Sequence, residues 1–383
     1  MLLRSLRLVI AFIITPVAVA NTTSNHTPNN QQYHHLSKAL QHYKQLEESG
    51  AWSQLPTYSQ VLTLDPVKRA ALLHNLLLLT GDIVKPGGSL QKGLISFQAR
   101  HKLPSSGILD YKSYQALARP PEEKAAIIAK NLTRLDQLPE NMGDRYVLVN
   151  IADYSLKLVE DSKTKLTMKV IVGKKARQTP IWADTIKSIV VNPPWNVPRK
   201  IAVKDILPKL RRQPDFLQNH NFLVLRGWGQ NAQMVPPYSL VESGMPWQKV
   251  SYKRFPYRLK QLPGPGNALG RFKFDFPNKH SVYLHDTSQP HLFRQNNRAL
   301  SSGCVRVEKP RELAESLLGL NRGWQPTKLD RLLDTSRTVT LRLEQPIPIY
   351  LAYMTAWVDT LGKVHFAKDI YGHDQRPLEV ARR

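Results

Sequence analysis

The spacing of apolar residues changes period near residue 145 of this 383-residue chain, and the change separates two kinds of structure. Before it the spacing is helical. A region from about His35 to Thr80 carries an apolar run over 70–79, Leu90, Leu94 and Phe97 recur at helical spacing over 89–100, and Asp110 caps a short helix bearing Tyr114 and Leu117. The run Pro104-Ser105-Ser106-Gly107 reads as the turn between the last two. A charged helical connector, 120–145, leads into short apolar or alternating runs bounded by turn residues, at 146–151, 155–159, 166–170, 188–191, 281–285, 305–307 and 338–343. These are expected strands, and they form an all-β core that surrounds both His285 and Cys304.

Between Trp195 and Gln261 the strand pattern gives way to a segment rich in Pro, Arg and aromatics, among them Phe216, Trp228, Tyr238, Trp247, Tyr252 and Tyr257. A loop of that length inside a compact domain is functional or separately folded. We read 196–261 as a capping insertion over a substrate groove, beside the alternative of an insertion that serves only packing or assembly. After Leu343, the stretches 350–357 and 362–366 have the form of a closing hairpin. The expected division is a helical domain at 33–119, the connector, a mainly β domain at 146–344 with its insertion, and a hairpin and tail at 345–383.

Residues 1–20 stand apart. Arg4 and Arg7 precede an apolar run from Leu8 to Ala20 that closes on Ala18-Val19-Ala20, and the polar linker 21–32 follows. This has the form of a secretory leader, too short to span a bilayer as a helix and expected to be cleaved after Ala20, with retention as an anchor the alternative. The expected location is therefore the periplasm or cell envelope of a Gram-negative-type bacterium. Lys and Arg number 54 against 29 Asp and Glu, a net charge of +25. Nucleic acid is a poor partner for an exported chain without zinc-finger spacing or an aromatic RNA-binding signature. A carboxylate-rich wall polymer or an anionic membrane surface fits the compartment better, beside the plain alternative of a solvated basic surface.

The chain has one cysteine, Cys304. It cannot form an internal disulfide, and a free thiol is a liability in an oxidising compartment, so a chemical role is expected. Cys304 lies in Ser301-Ser302-Gly303-Cys304-Val305-Arg306-Val307, nineteen residues after His285 in Tyr283-Leu284-His285-Asp286-Thr287. The pair reads as a thiol nucleophile and its base, with a protonated imidazole lowering the thiol pKa. Period-2 geometry puts Tyr283 and His285 on one face and Asp286 on the other, which leaves a backbone carbonyl to orient the imidazole. The amides of Gly303 and Cys304 are the expected oxyanion donors. Ser301 and Ser302 either orient that loop or are simple turn residues. Arg306 shares a face with Cys304 and either clamps a substrate carboxylate or braces the site through an ion pair. Tyr283 and Trp195 are candidate pocket walls.

Two sets of motifs resemble known families. Phe97-Gln98 with Gly107-Ile108-Leu109-Asp110 and Leu117 resembles the three-helix peptidoglycan-binding domain. The ordered set Val172-Gly173, Thr179-Pro180, 192–198, 263–270, 276–278, 283–287 and 301–307 resembles the L,D-transpeptidases of the YkuD fold, more narrowly their YcbB-type branch. In many members a histidine precedes the Gly-Cys pair, whereas this chain has Ser302 there, as that branch does.

The resemblance implies a YkuD-type β-sandwich, with His285 as base, Cys304 as acylated nucleophile and Gly303 with Cys304 as the oxyanion site. It implies acyl transfer in peptidoglycan, from a tetrapeptide stem through a cysteine thioester to an amine such as that of diaminopimelate, giving 3-3 cross-links without metal or organic cofactor. Two further readings stand beside it. One keeps the thioester but ends in hydrolysis, as an L,D-carboxypeptidase, or in attachment of an envelope protein. The other is a wall-binding protein without chemistry. A papain-like protease fits poorly, because that architecture starts a helix at its nucleophile and Cys304 precedes a strand. Oligomeric state is not expressed in the sequence.

Overall fold

The computed structural model describes residues 28–227, 232–251 and 255–375. The expected leader, and Trp228 and Tyr252 of the insertion, lie outside the described residues.

The helical region expected from His35 to Thr80 is three helices, α1 (Pro28–Glu48), α2 (Tyr58–Thr63) and α3 (Pro66–Leu79). The breaks have chemical causes. Gly50 turns the chain out of α1 with a φ of 66°, and Thr57 and Gln60 form a reciprocal capping box at the start of α2. Pro66 cannot continue a helix but suits the first position of a new one, which Asp65 caps by accepting from the Val67 and Lys68 amides. The next helices, α4 (Leu90–Arg100) and α5 (Tyr111–Leu117), are capped by Ser89 and Asp110.

Phe97 sits at the centre of the core that α2 to α5 share, with Leu77 and Leu117. Its neighbour Gln98 is fully buried and staples the 104–110 turn to α4. The amide nitrogen donates to Ile108 O (2.8 Å) and Ser113 Oγ (3.0 Å), and the amide oxygen accepts from Gly107 N (2.8 Å). Gln98→Ala leaves these turn groups without partners, an expected loss of about 2 kcal/mol. Thermal unfolding checks it, and an unchanged Tm would show that the turn holds itself.

The connector contains α6 (Pro121–Leu135), and it is packed rather than free. Ile127, Ile128 and Leu135 bury against Leu36 and Tyr43 of α1 and against residues near the chain's other end. The strands before the insertion are β1 (Arg145–Asn150), β2 (Ser155–Glu160), β3 (Lys163–Gly173) and β4 (Trp182–Val191). The insertion holds β5 (Trp195–Asn196), β6 (Phe222–Arg226), β7 (Gln233–Val235) and β8 (Tyr257–Gln261). After it come β9 (Phe272–Asp275), β10 (Leu284–His285), β11 (Ala299–Ser301), β12 (Val305–Val307) and β13 (Val339–Ala352), then the hairpin β14 (Ala356–Val358) and β15 (Val364–Phe366).

Hydrogen-bonded neighbours run β11, β3, β12, β10, β9, β4, β13, β1, β2, and β2 pairs again with β3. The expected sandwich is thus a sheet whose pairing closes on itself. Long β3 permits this, because its first part lies beside β2 and its later residues beside β12 and β11. Alternate side chains point inward and bury Val147, Leu156, Val170, Ile189, Phe274, Leu284, Val305 and Ile349, joined by Leu313 and Leu317 of the helix Pro310–Leu318. β13 runs unbroken through residue 344 between β4 and β1, so the boundary expected there does not exist. Residues 350–352 belong to the sheet, and the hairpin is confined to β14 and β15, which close a core with α1 and α6.

The insertion forms its own sheet, ordered β5, β8, β6, β7, over a separate core. Phe216, Trp247 and Tyr257 fill that core, so these aromatics pack the insertion, while Tyr238 is exposed. No helix among the described residues is long and apolar enough to cross a membrane.

Candidate active site

The strand expected at 281–285 is shorter than its alternation suggests. Ser281 has a left-handed φ of 52°, and Asn278 donates to both Phe276 O and Val282 O at 2.7 Å, which holds 276–282 as a turn. Only Leu284 and His285 pair as strand. Register then sets His285 between Lys273 of β9 and Arg306 of β12. The Val305 amide donates to Tyr283 O (3.1 Å), so Tyr283 and Cys304 form the adjoining row. The rings of Tyr283 and His285 meet edge-on at 5.7 Å, on one face as expected. Lys273 was not visible in the sequence pattern. Its Nζ lies 4.7 Å from the Tyr283 ring centre and 3.1 Å from Asp275.

His285 is buried, and its Nδ1 lies 2.5 Å from Asp286 O. A carbonyl can only accept, so Nδ1 carries the proton and Nε2 is the basic nitrogen. The Asp286 carboxylate turns away, accepting from Arg271 N (2.8 Å) and Thr287 N (2.6 Å). Gly270 makes room for it, since a Cβ there would come within 2.3 Å of that carboxylate.

Burial pushes the His285 pKa down to about 3, and the cations of Arg306 and Lys273 act in the same direction. Burial raises the Cys304 thiol pKa, opposed by contact with Tyr283 and by Lys273 and Arg306. Both shifts favour a neutral thiol beside a neutral imidazole, the opposite direction from the imidazolium expected to activate the thiol. Lys273, Arg306 and the Tyr283 hydroxyl are the groups that pull the thiol pKa back down. Sγ lies 3.9 Å from Ser281 O, and among the described residues no hydrogen bond joins it to His285. A raised thiol pKa means that alkylation of the free enzyme by iodoacetamide should climb about tenfold per pH unit from neutrality to pH 9. A plateau beginning near pH 6 would instead reveal a preformed ion pair.

The nucleophile loop is held from several sides. Ser301 is buried, donates to Cys304 O (2.5 Å) and accepts from Gly303 N (3.1 Å). The Gly303 amide, expected in the oxyanion site, is thus engaged by Ser301, and Gly303 itself serves the turn with a φ of 125°. The Cys304 amide makes no hydrogen bond among the described residues. Thr179 Oγ1 donates to Gly303 O (2.8 Å) and accepts from Gly173 N (2.8 Å), while Tyr371 Oη accepts from Thr179 N (3.2 Å). Arg177 donates to Ser302 Oγ (2.7 Å).

Trp195 stands at the root of the insertion on β5, half-buried, and hydrogen-bonds to the Tyr283 hydroxyl. Arg306 has no carboxylate partner among the described residues. Its Nη1 reaches Gln289 Oε1 at 3.4 Å, and its buried Nε has no partner. The internal ion pair considered for it is absent. No group of three or more His, Cys, Asp or Glu among the described residues could hold a metal ion.

Residues 144–339, about half of the chain, match the family of the L,D-transpeptidase catalytic domain, YkuD. The chain belongs to this family. The L,D-transpeptidase domain so defined contains every strand of the closed sheet up to the start of β13, and both His285 and Cys304. A curated relative, "Putative L,D-transpeptidase" of Haemophilus influenzae, is 38% identical over 249 residues, covering 65% of this chain and 48% of the relative. The chain thus spans about half the length of the curated relative it matches. Among solved structures, an L,D-transpeptidase (Yku) from Stackebrandtia nassauensis is 14% identical, with 73% of this chain and 88% of that one covered and a TM-score of 0.25. One from Mycobacterium smegmatis is 12% identical, over 54% of this chain and 58% of that one, also with a TM-score of 0.25. The fold assignment rests on the family match.

Proposed function

We propose that this chain is a peptidoglycan L,D-transpeptidase of the YcbB-type branch that works through a thioester on Cys304. The observation that carries this reading is the row arrangement itself. A half-buried thiol lies beside Lys273, Arg306 and Tyr283, and the neighbouring imidazole has its basic Nε2 defined by the Asp286 carbonyl.

Cys304 Sγ attacks the carbonyl carbon of the third residue of a tetrapeptide stem, and His285 Nε2 takes the thiol proton. The bond to the terminal D-Ala nitrogen breaks, and that nitrogen receives the proton from His285. An acceptor amine, that of a diaminopimelate side chain, then attacks the thioester and gives up a proton to His285, and the sulfur leaves to be reprotonated. The Cys304 amide faces the oxyanion in both steps. The unpaired Arg306 supports a role as carboxylate clamp. A stem carboxylate bound there would cancel part of the positive field that depresses His285, so substrate binding would itself make Nε2 a better base.

The Gln98 staple and buried Phe97 support the reading of the helical region as a peptidoglycan-binding module. The net charge of +25 supports attraction to a carboxylate-rich wall, and the leader-like start supports export to the periplasm. Trp195 and Tyr283 would line the groove beneath the insertion.

Intact-protein mass after incubation with a disaccharide tetrapeptide tests the reading. Release of D-Ala, an adduct on Cys304 and a dimeric muropeptide are the expected result. Resolution of the adduct only to tripeptide would make the enzyme a hydrolase, and no adduct would leave a binding protein.

A further inference from the structure

We propose that Arg177 is a positioning residue for the nucleophile loop and that Asp205 of the insertion sets it, so that seating of the insertion and the conformation of the Cys304 loop are coupled. Arg177 ends the 3-10 turn Lys175–Arg177 between β3 and β4. Its side chain is largely buried and pairs with Asp205 through both terminal nitrogens, Nη2 lying 3.0 Å from Oδ1. Nη1 carries a second hydrogen, which goes to Ser302 Oγ at 2.7 Å. One guanidinium thus bridges the insertion and the residue two places before Cys304.

The other groups that hold this loop belong to the sheet or to the loop itself. Lys174 N donates to Ser301 O (3.0 Å), Thr179 holds Gly303 O, and Ser301 holds Gly303 N. Arg177 joins the Ser302 side chain of the loop to the insertion by hydrogen bonds, while a second link runs from Cys304 through the Tyr283 hydroxyl to Trp195 at the insertion's root. The presentation of Asp205 is also unusual. It lies in a π-helical stretch, Ala202–Ile206, a rare form that re-aims side chains and concentrates at functional sites. Ala202 and Ile206 of that stretch enter the insertion's own core, which is separate from the core of the closed sheet. Asp205 therefore transmits the position of a separately packed body to the nucleophile turn.

The inference takes Cys304 as the nucleophile but requires no particular acyl substrate, so its test is read first on the thiol. In the full chain, iodoacetamide alkylation of Cys304 is followed across pH by intact mass for wild type, Asp205→Asn, Arg177→Ala, Ser302→Ala and the double variant Asp205→Asn/Arg177→Ala. Acylation by a carbapenem is measured in parallel. A loosened loop exposes the thiol, so each single variant should alkylate faster at neutral pH by about tenfold, with its pH midpoint moved toward that of an ordinary cysteine, while carbapenem acylation slows. The double variant should match the single ones, because all break the same bridge. Wild-type alkylation in Asp205→Asn, or effects that add in the double variant, would overturn the coupling. If Arg177→Ala does not fold, Asp205→Asn, which removes the charge of the pair, and Ser302→Ala, which removes the acceptor at the other end, still decide it.

Discussion

Cys304→Ala is expected to eliminate the adduct and to lower turnover on tetrapeptide donors about 10^5-fold or more, as in other enzymes that lose a nucleophile acting as a unit with its base. The size of the loss follows from the site. In the proposed mechanism His285 Nε2 takes its proton from Cys304, and Lys273, Arg306 and the Cys304 amide face charge that develops only once sulfur attacks. His285→Gln should approach the same loss, because a neutral amide cannot shuttle the proton. The two defects should not multiply in the double variant. Dimeric muropeptide formation, followed by mass on folded variants, is the measurement, and substantial cross-linking by Cys304→Ala would move the chemistry to another residue.

The second large effect concerns stability. Lys124 of α6 is 2% exposed, and its Nζ has no hydrogen-bond partner. It lies 5.8 Å from the Trp52 ring centre and 6.0 Å from that of Phe97. Burial first, then repulsion from Arg100 and Arg119, lowers its pKa to about 7. In the unfolded chain the amine returns to its ordinary pKa, above 10. Above that value it is neutral in both states and costs nothing by this route. As pH falls from 10.5 to 7 only the unfolded chain takes up the proton, so stability declines, and below pH 7 the cost is complete. Over that interval the cost is about 5 kcal/mol. Lys124→Met keeps the length of the side chain and removes the amine. It should raise Tm by several degrees at pH 6.5, with a gain that shrinks as pH approaches 10.5. Scanning calorimetry of both proteins at pH 6.5 and 9.5 measures the difference, and a variant less stable than wild type at pH 6.5 would show that the ammonium is accommodated.

The parts of the site carried by neighbouring residues were legible in the sequence, and the parts carried by register were not. Cys304 and Arg306 share a face because they are two apart, as do Tyr283 and His285, and the remoteness of the Asp286 carboxylate followed from the same period. Lys273 reaches the site through the pairing of β9 with β10, which no local pattern expresses. Arg177 meets the loop across a long separation, and Asp205 and Tyr371 act on it only through Arg177 and Thr179. Whether the Gly303 amide faced an oxyanion depended on the Ser301 hydroxyl, a rotamer invisible in a string of residues. The neutral state of His285 required knowing that the ring is buried and that two cations flank it. In the helical region Gly50, Thr57 and Asp65-Pro66 all mark breaks, but the apolar run after them suggested one continuous element. The length of β13 was hidden because Glu344, Gln345 and Pro346 look like a terminator. The strand passes through them with a register shift between Arg342 and Ile347 and continues into its most buried part.

That strand bears on how the protein can be dissected. The stretch that identifies the family stops at Val339, the first residue of β13. A fragment trimmed to those limits would keep His285 and Cys304 yet lose the seam between β4 and β1, leaving two raw edges and an uncovered apolar floor. It would also lose Tyr371 from beneath Thr179. The family stretch and the sheet that carries the thiol are therefore different lengths of chain, and a piece that keeps both the whole sheet and the Tyr371 contact must run past the hairpin.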